Sequence, residues 1–207
     1  MPVGVWTISA QPGTPGGEVA SELATRVGVP LFDRKALEPI VHALNPELGD
    51  LDDVEGRFGG RLNALALAVA MTYGAPAAFR EIELRRTLPA LGRKVIGEVV
   101  RNPAVILSSA AANALPDHPG AVHARLRAPK EWRIEAYARN NLVSRDRAAH
   151  ELAHADHVER MWVRALFDVR VDEPAIYSVV IDASRLAPDR IVDVLLSAAG
   201  VPLPPRS

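Results

Sequence analysis

The sequence has no cysteine among its 207 residues, and its only lysines are Lys35, Lys94 and Lys130. The absence of cysteine excludes disulfides, thiolate metal sites and a cysteine nucleophile, and it suits a reducing compartment. Lysine is also missing from the whole segment before residue 35. The formal net charge is -1, so the chain has no general positive field and nucleic acid is not a favoured partner.

Long hydrophobic runs are absent too. The longest apolar run, residues 62–71, is interrupted by Asn63 and is too short to cross a bilayer. The N-terminal residues lack the basic and apolar regions of a secretion signal. We therefore expect a cytoplasmic protein without a membrane partner. Because 48% of the residues are hydrophobic, we expect a single folded domain over residues 1–200 and a flexible tail over 201–207.

Strand-like and helix-like segments alternate along the chain. Short apolar runs predict strands at residues 3–9, 104–107, 122–126 and 177–181. Helical spacing of apolar residues predicts helices at 18–27, 34–44, 61–71, 77–101, 129–140, 144–166 and 188–199, with a loop at 45–60 and a break at Pro89. Asp33 and Ser144 are predicted N-caps, and Gly28 is a predicted helix stop. The alternation predicts an α/β fold with helices on both faces of a parallel sheet.

A glycine-rich segment, residues 11–17, joins the first predicted strand to the first predicted helix. Consecutive backbone amides in such a loop, followed by a helix N-terminus, can wrap a phosphate group. A full nucleotide-binding loop also needs a lysine and a hydroxyl residue, but this loop has no lysine and Glu18 holds the hydroxyl position. A tight turn that binds no ligand is the alternative interpretation. The candidate phosphate-binding residues are Gly13, Thr14, Gly16 and Gly17.

Several blocks of sequence follow one another in the order and spacing of a known family. They are GTPGGEVA at 13–20, FDR at 32–34, PAVIL at 103–107, APKEWRIE at 128–135 and IDASRL at 181–186. Together they resemble the cytidylate kinase-like family over nearly the whole chain except 45–60. The resemblance implies a three-layer P-loop kinase fold with about five parallel strands, a helical NMP-binding region at about 34–101 and a helical lid at about 129–170. It also implies ATP-dependent phosphoryl transfer to CMP or dCMP, with ATP and Mg²⁺ as cofactors.

The same resemblance suggests roles for individual side chains. Arg139 and Arg160 are the candidate lid cations that would stabilise the transferred phosphoryl group, whose chemistry depends mainly on positioning and positive charge. The resemblance places Asp33 at the acceptor pocket, and Arg133 lies in a matching block. Two further candidate acceptor-binding residues are Arg34 and Arg86, as substitutes for missing cations; Arg86 belongs to a basic stripe on one predicted helix that could equally be a solvated face.

Three departures from the family pattern remove expected positive charges. Gly17 replaces an arginine after the glycines, Ser108-Ser109 replaces a Gly-Arg pair after the third strand, and Glu159 stands where the lid arginine is expected. The alternative hypothesis is therefore a catalytically degenerate kinase-fold protein. It would serve a regulatory or interaction role, for example as a homodimer, whereas the first hypothesis is a kinase-like protein that binds a nucleotide or another phosphate ligand.

A competing motif lies in the predicted helix 144–166. His150, Glu151 and His154 form an H-E-x-x-H pattern, which can place two imidazoles and a general base at a zinc ion, with His157 nearby. A zinc-dependent hydrolase is thus a third hypothesis. Against it, charged residues surround the motif, which is typical of a solvated helix rather than of a core helix that holds a metal.

Overall fold

The computed structural model describes residues 4–44 and 89–202, apart from the side chain of His42. Its centre is a five-stranded sheet in which every neighbouring pair of strands is parallel. The order across the sheet is β2-β3-β1-β4-β5. The strands are β1 Val5–Ala10, β2 Leu31–Phe32, β3 Ala104–Leu107, β4 Ala121–Arg127 and β5 Val179–Asp182.

Seven α-helices surround this sheet in the described part of the chain. They are α1 Gly16–Val27, α2 Arg34–Leu44, α3 at 89–99, α4 Ala111–Ala114, α5 Lys130–Asn141, α6 Arg145–Phe167 and α7 Pro188–Ala198, and a 3₁₀ turn spans Pro174–Ile176. No helix among residues 4–44 and 89–202 combines the length and apolar character that crossing a bilayer requires.

The helix ends follow from local chemistry. Gly28 ends α1 in the left-handed conformation, at φ 70°, which favours glycine. Asp33 caps α2, because its Oδ1 accepts a hydrogen bond of 3.0 Å from the amide of Ala36. Ser144 caps α6 by accepting from the amide of Arg147. All three helix boundaries were predicted by the sequence.

The two faces of the sheet carry separate hydrophobic cores. Alternate strand residues point to opposite faces, so Trp6 and Ile8 of β1 pack with α1 and α7, whereas Val5 packs with the helices of the other face. That second core joins α2, α3 and α4 to the end of α6 at Leu166. The result is a three-layer α/β domain.

Polar residues interrupt the second face along β1 and β4. Thr7 lies opposite His123 in the parallel register, and their side chains are joined by a hydrogen bond of 2.8 Å. The other ring nitrogen of His123 lies 3.1 Å from the carbonyl oxygen of Leu115. Burial lowers the pKa of His123, so the folded protein holds this imidazole neutral.

The predicted secondary structure is confirmed wherever the structure describes it, with small shifts at the ends. The last strand begins at Val179, two residues later than predicted, because the 3₁₀ turn precedes it. The short helix α4 was not predicted, since four residues give no helical periodicity. The predictions for 45–60, 61–71, the first part of 77–101 and most of the tail lie outside the described residues.

We expect His123 to make stability depend on pH. Its pKa is lowered in the folded chain from an ordinary value of 6.5, so its contribution is fully present above pH 6.5 and is lost as the pH falls towards the lower folded value. Urea unfolding between pH 8 and pH 5 should show this decline, and His123→Gln should flatten it. The exposed His150 gives the control, because His150→Gln should leave the slope unchanged. An equal slope in wild type and His123→Gln would contradict the assignment.

Candidate functional site

The glycine-rich loop leaves the carboxyl end of β1 at the middle of the sheet. It is anchored where the amide of Gln11 donates to the carbonyl of Leu126 over 2.9 Å. Both the amide and the hydroxyl of Thr14 donate to the carbonyl of Gln11, at 3.0 Å and 2.6 Å. Helix α1 then begins at Gly16 without a side-chain cap. The first amides of α1 therefore have no side-chain acceptor, which is the arrangement that an anion at a helix N-terminus requires.

The glycines of the loop differ in what surrounds them. A Cβ on Gly16 would lie 2.2 Å from the Cβ of Ala10, so the helix start can approach β1 only with glycine at this position. At Gly17 no atom lies within 4 Å of such a Cβ. Gly13 adopts φ 85°, a left-handed conformation that strains other residues. While Ala10 is present, position 16 consequently excludes a side chain such as that of lysine.

Helices α5 and α6 form a hairpin that packs directly on this loop. A Cβ on Gly13 would lie 3.1 Å from both the Cβ of Arg133 and the Cδ2 of Leu152. The buried guanidinium of Arg133 donates to the carbonyl of Pro12 over 2.9 Å and binds both carboxylate oxygens of Asp156, at 2.8 Å and 2.9 Å. Arg133 therefore fastens one helix of the hairpin to the other and both to the loop.

A second arginine, Arg125 of β4, lies beneath the hairpin and is 2% exposed. Its Nη1 donates to the hydroxyl of Ser9 and to Oε1 of Glu159, each over 2.7 Å. Its Nη2 donates to Oε2 of Glu159 over 3.1 Å and to Asp172 over 3.0 Å. Ser109, which follows β3, donates to Oε1 of Glu159 over 2.6 Å. We call these five residues the Arg125 cluster.

In the Arg125 cluster, the charge of the arginine is paired with the carboxylates of Glu159 and Asp172. Burial acts to lower the pKa of Arg125, but the hydrogen bonds and negative charge of Glu159 outweigh it and raise that pKa above its usual range. Tyr177 borders the cluster, donates to the carbonyl of Val171 over 2.7 Å and has a pKa raised by burial. The arginine is therefore permanently charged, and the carboxylate of Glu159 is fully engaged.

A cavity of about 540 Å³ opens beside the loop. It lies between α2, α3 and α6 and reaches the residues that follow β3. Its described walls are mostly aliphatic and aromatic, and their polar members are Arg34, Ser108, Ser109, His154 and Glu159. A volume of this size is typical of a small-molecule site.

The structure brings some of the predicted site residues together and separates others. Gly13, Thr14, Gly16 and Gly17 form one loop, and Arg133 lies against it. Arg34 lines the neighbouring cavity. Asp33 caps α2, which occupies one of its carboxylate oxygens. Arg86 lies outside the described residues.

The two predicted lid cations lie on exposed helix surfaces. Arg139 on α5 and Arg160 on α6 are both exposed. Arg139 is six residues from Arg133, which places it about 240° around the helix from the face that meets the loop. Arg160 directly follows Glu159, so it stands about 100° away from the side chain that enters the Arg125 cluster.

The H-E-x-x-H pattern does not assemble a metal site. His150 and His154 are exposed on α6. The carboxylate of Glu151 accepts from Arg147 over 2.7 Å, and this bond is the main cause of its lowered pKa. No group of three potential ligands, His157 included, comes together among residues 4–44 and 89–202. The arrangement gives no support to the zinc-dependent hydrolase.

The Arg125 cluster was not predicted, although the sequence contains a signal for it. Thr7 and Ser9 alternate with apolar residues in one strand, and His123 and Arg125 do so in another. Polar residues at every second position of two buried strands indicate a polar stripe on one sheet face.

We expect Gly16→Ala to destabilise the protein by about 1–3 kcal/mol, because the new Cβ collides with Ala10. Gly17→Ala is the matched control and should be neutral or slightly stabilising, since its Cβ meets open space. Ala10→Gly should recover much of the loss in the Gly16→Ala background. Urea unfolding of the four variants measures this, and equal losses at positions 16 and 17 would contradict the close approach.

Removing one partner of the Arg125 cluster should lower the free energy of unfolding. Arg125→Met leaves Glu159 buried without its cation, for which we expect about 3–5 kcal/mol lower unfolding free energy. The double variant Arg125→Met with Glu159→Gln should recover part of it, giving a positive coupling in a double-mutant cycle. The exposed pair of Arg101 and Glu98 is the control, and Arg101→Met should cost about 0.5 kcal/mol or less. Additive effects at 125 and 159 would show that the pair is not coupled.

Comparison with known proteins agrees with this geometry. The chain superimposes on the crystal structure of an uncharacterized protein from Eubacterium ventriosum ATCC 27560 with a TM-score of 0.67 and 16% identity, over 95% of this chain and 97% of that one. A gluconokinase from Sinorhizobium meliloti 1021 gives a TM-score of 0.53 and 14% identity, over 96% and 93% of the two chains. No protein of curated function matches in sequence.

The strand order, the loop after β1 and the helical hairpin above it are features of a P-loop kinase fold, which the gluconokinase likeness supports at the level of fold. A model of the cytidylate kinase-like family matches residues 5–185. That match covers most of the 207 residues, so the chain belongs to the cytidylate kinase-like family.

Proposed function

We propose that this protein binds the phosphate groups of a nucleotide at the glycine-rich loop but transfers a phosphoryl group slowly or not at all. The observation that carries the proposal is Glu159. A carboxylate stands where the family pattern calls for a lid cation, and both its oxygens are bound by the buried Arg125. In this proposal the kinase fold binds a nucleotide, and the glycine-rich loop is the site at which the phosphate groups bind.

Support for phosphate binding comes from the loop itself. The uncapped start of α1 offers backbone amides, and Gly17 leaves open space beside them. The guanidinium of Arg133 lies next to Pro12; its two terminal nitrogens donate to Asp156, and its buried Nε, which has no hydrogen-bond partner among the described residues, is left for a phosphate oxygen. Amides and an adjacent guanidinium are the groups that bind phosphate oxygens.

Support for weak catalysis comes from the charges that phosphoryl transfer needs. Stabilising the transferred group requires several cations around it, each worth about 2–4 kcal/mol in the transition state. The loop has no lysine, and Gly17 stands directly before Glu18, where the nucleotide-binding pattern has one. Ser108 and Ser109 supply no charge after β3. Losing these cations together lowers the rate of phosphoryl transfer by many orders of magnitude.

The described residues beside the loop do not fit Mg²⁺. This ion prefers oxygen ligands such as a loop hydroxyl and a carboxylate that is free to coordinate. Glu18 replaces the expected hydroxyl residue, and both carboxylate oxygens of Glu159 are bound by Arg125. We therefore infer nucleotide binding that does not depend on Mg²⁺, and we derive no catalytic step through the ion.

The second candidate is ATP-dependent phosphorylation of CMP or dCMP. The family match favours it, together with Arg34, which lines the cavity beside the loop where an acceptor would lie. In this reading residues 34–101 form the acceptor-binding region and 129–170 the lid. The first candidate instead implies a regulatory or interaction role, with a protein partner or a second copy of the chain, in the cytoplasm.

The test is calorimetric titration with ATP, with and without Mg²⁺, on variants of Gly17. We expect ATP to bind in both conditions and Gly17→Ala to match wild type. Gly17→Asp adds a negative charge at an open position and should weaken binding about tenfold, whereas Gly17→Lys should strengthen it about tenfold. Higher salt should reduce both differences.

Transfer is measured in the same samples by following ADP formation with CMP or dCMP present. We expect no acceptor-dependent ADP above background. Acceptor-dependent turnover that falls in Arg34→Met would replace our proposal with the second candidate. Absence of ATP binding at millimolar concentration, or equal affinity for Gly17→Asp and Gly17→Lys, would refute phosphate binding at the loop.

A further inference from the structure

The side chain of Arg133 meets the glycine-rich loop with one donor unused. The residue is 4% exposed. Its terminal nitrogens donate to the carboxylate of Asp156 over 2.8 Å and 2.9 Å, and Nη1 also donates to the carbonyl of Pro12 over 2.9 Å. The buried Nε has no hydrogen-bond partner among the described residues. Because a buried N–H without an acceptor is costly, this donor points to a missing ligand.

The start of α1 supplies further free donors. In the described part of the chain, the amides of Gly16, Gly17 and Glu18 have no acceptor. Gly13, which precedes them, lies against Arg133, since a Cβ placed on Gly13 would be 3.1 Å from the Cβ of that arginine. The side-chain donor and the amide donors therefore border the same short loop, where a phosphate group would find both kinds of partner.

Asp156 of α6 fixes the plane of this guanidinium. A guanidinium is rigid and planar, so a carboxylate that binds both of its terminal nitrogens leaves it little freedom to rotate. The direction of the remaining donor, Nε, is then fixed as well. Without the carboxylate, the long side chain of Arg133 would sample several rotamers, and the cost of ordering it would oppose ligand binding.

The carboxylate of Asp156 thus has two opposite effects on an anion at the loop. Its negative charge lies close to the loop, because the same Nη1 of Arg133 joins it to Pro12, and this charge repels the anion. Its hydrogen bonds hold a donor ready for the anion. While the ion pair is intact, the charge of Arg133 balances that of Asp156, so the second effect is the larger one.

We propose that Asp156 is a positioning residue for the ligand of the glycine-rich loop. Asp156 orients Arg133, and the Nε of Arg133 donates to a phosphate oxygen, which Asp156 itself does not touch. The inference deepens the proposed function and rests on it, because it requires that the loop bind the phosphate groups of a nucleotide.

The test is the ATP affinity of Asp156→Asn, measured by calorimetric titration without Mg²⁺ at fixed ionic strength. The substitution removes a negative charge, so electrostatics alone would strengthen ATP binding. We expect instead about tenfold weaker binding, because Nε is no longer held towards the ligand. Glu151→Gln is the matched control, since it removes a carboxylate of the same helix that binds Arg147 and not Arg133. Its ATP affinity should equal that of wild type.

The Arg133→Met background separates positioning from a merely structural role. In that background Asp156 has no guanidinium to orient and only repels the anion. Asp156→Asn should therefore strengthen ATP binding there, by about threefold, although it weakens binding in the wild-type background. A merely structural role for Asp156 would weaken binding in both backgrounds. Circular dichroism and thermal unfolding establish that each variant is folded.

Nuclear magnetic resonance gives a second measurement that does not depend on the folding of Arg133→Met. The Nε–H signal of Arg133, assigned by its loss in Arg133→Lys, should shift when ATP is added to the wild-type protein. The same addition to Asp156→Asn should shift it less, because the donor is no longer directed at the ligand.

Three outcomes would overturn the inference and leave the proposed function standing. They are unchanged or tighter ATP binding by Asp156→Asn, weaker binding by Asp156→Asn in both backgrounds, and a wild-type Nε–H signal that does not respond to bound ATP. Absence of ATP binding to the wild-type protein would refute the inference and the proposed function together. The two failures are therefore distinguishable.

Discussion

The guanidinium of Arg125 is the charge around which the carboxyl edge of the sheet is organised. It comes from the interior of β4 and is 2% exposed, so it can exist there only if its charge is paired; its two terminal nitrogens are hydrogen-bonded, and its Nε has no partner among the described residues. Its partners come from β1, from the middle of α6 and from the segment before β5. One buried charge thereby holds three parts of the chain that are distant in sequence.

This constraint shapes the loop as well as the core. Glu159 can reach Arg125 only if α6 packs close to the sheet. That position also brings Leu152 of the same helix against Gly13. Arg133 closes the other side, through Asp156 and the carbonyl of Pro12. Both arginines near the loop are thus committed to carboxylates of α6. Their charges therefore stabilise the packing of the hairpin on the loop.

The sequence predicts the fold well because the fold depends on local signals. Asp33, Ser144 and Gly28 mark helix ends by their own chemistry, and β1 and β3 are short apolar runs of strand length. The loop glycines follow from the same reasoning, since a strand, a glycine-rich turn and a helix occur in order.

The Arg125 cluster could not be predicted in the same way, because it depends on contacts between distant residues. Arg125 and Ser9 are 116 positions apart, and Arg125 and Glu159 are 34 apart. Glu159 therefore looks in the sequence like a lost catalytic charge, whereas in the structure it is the partner of the buried Arg125. The close approach of Gly16 to Ala10 is equally invisible until β1 and α1 are placed.

The residue at position 159 cannot be changed independently of Arg125. Both carboxylate oxygens of Glu159 accept from that buried guanidinium. An arginine placed at 159 alone would bring two guanidinium groups together in a buried site, where like charges are strongly unfavourable. Position 17 differs, because a side chain there meets open space, so a cation at 17 requires no change elsewhere. Of these two departures from the family pattern, the one at 159 is therefore held by its buried partner and the one at 17 is not.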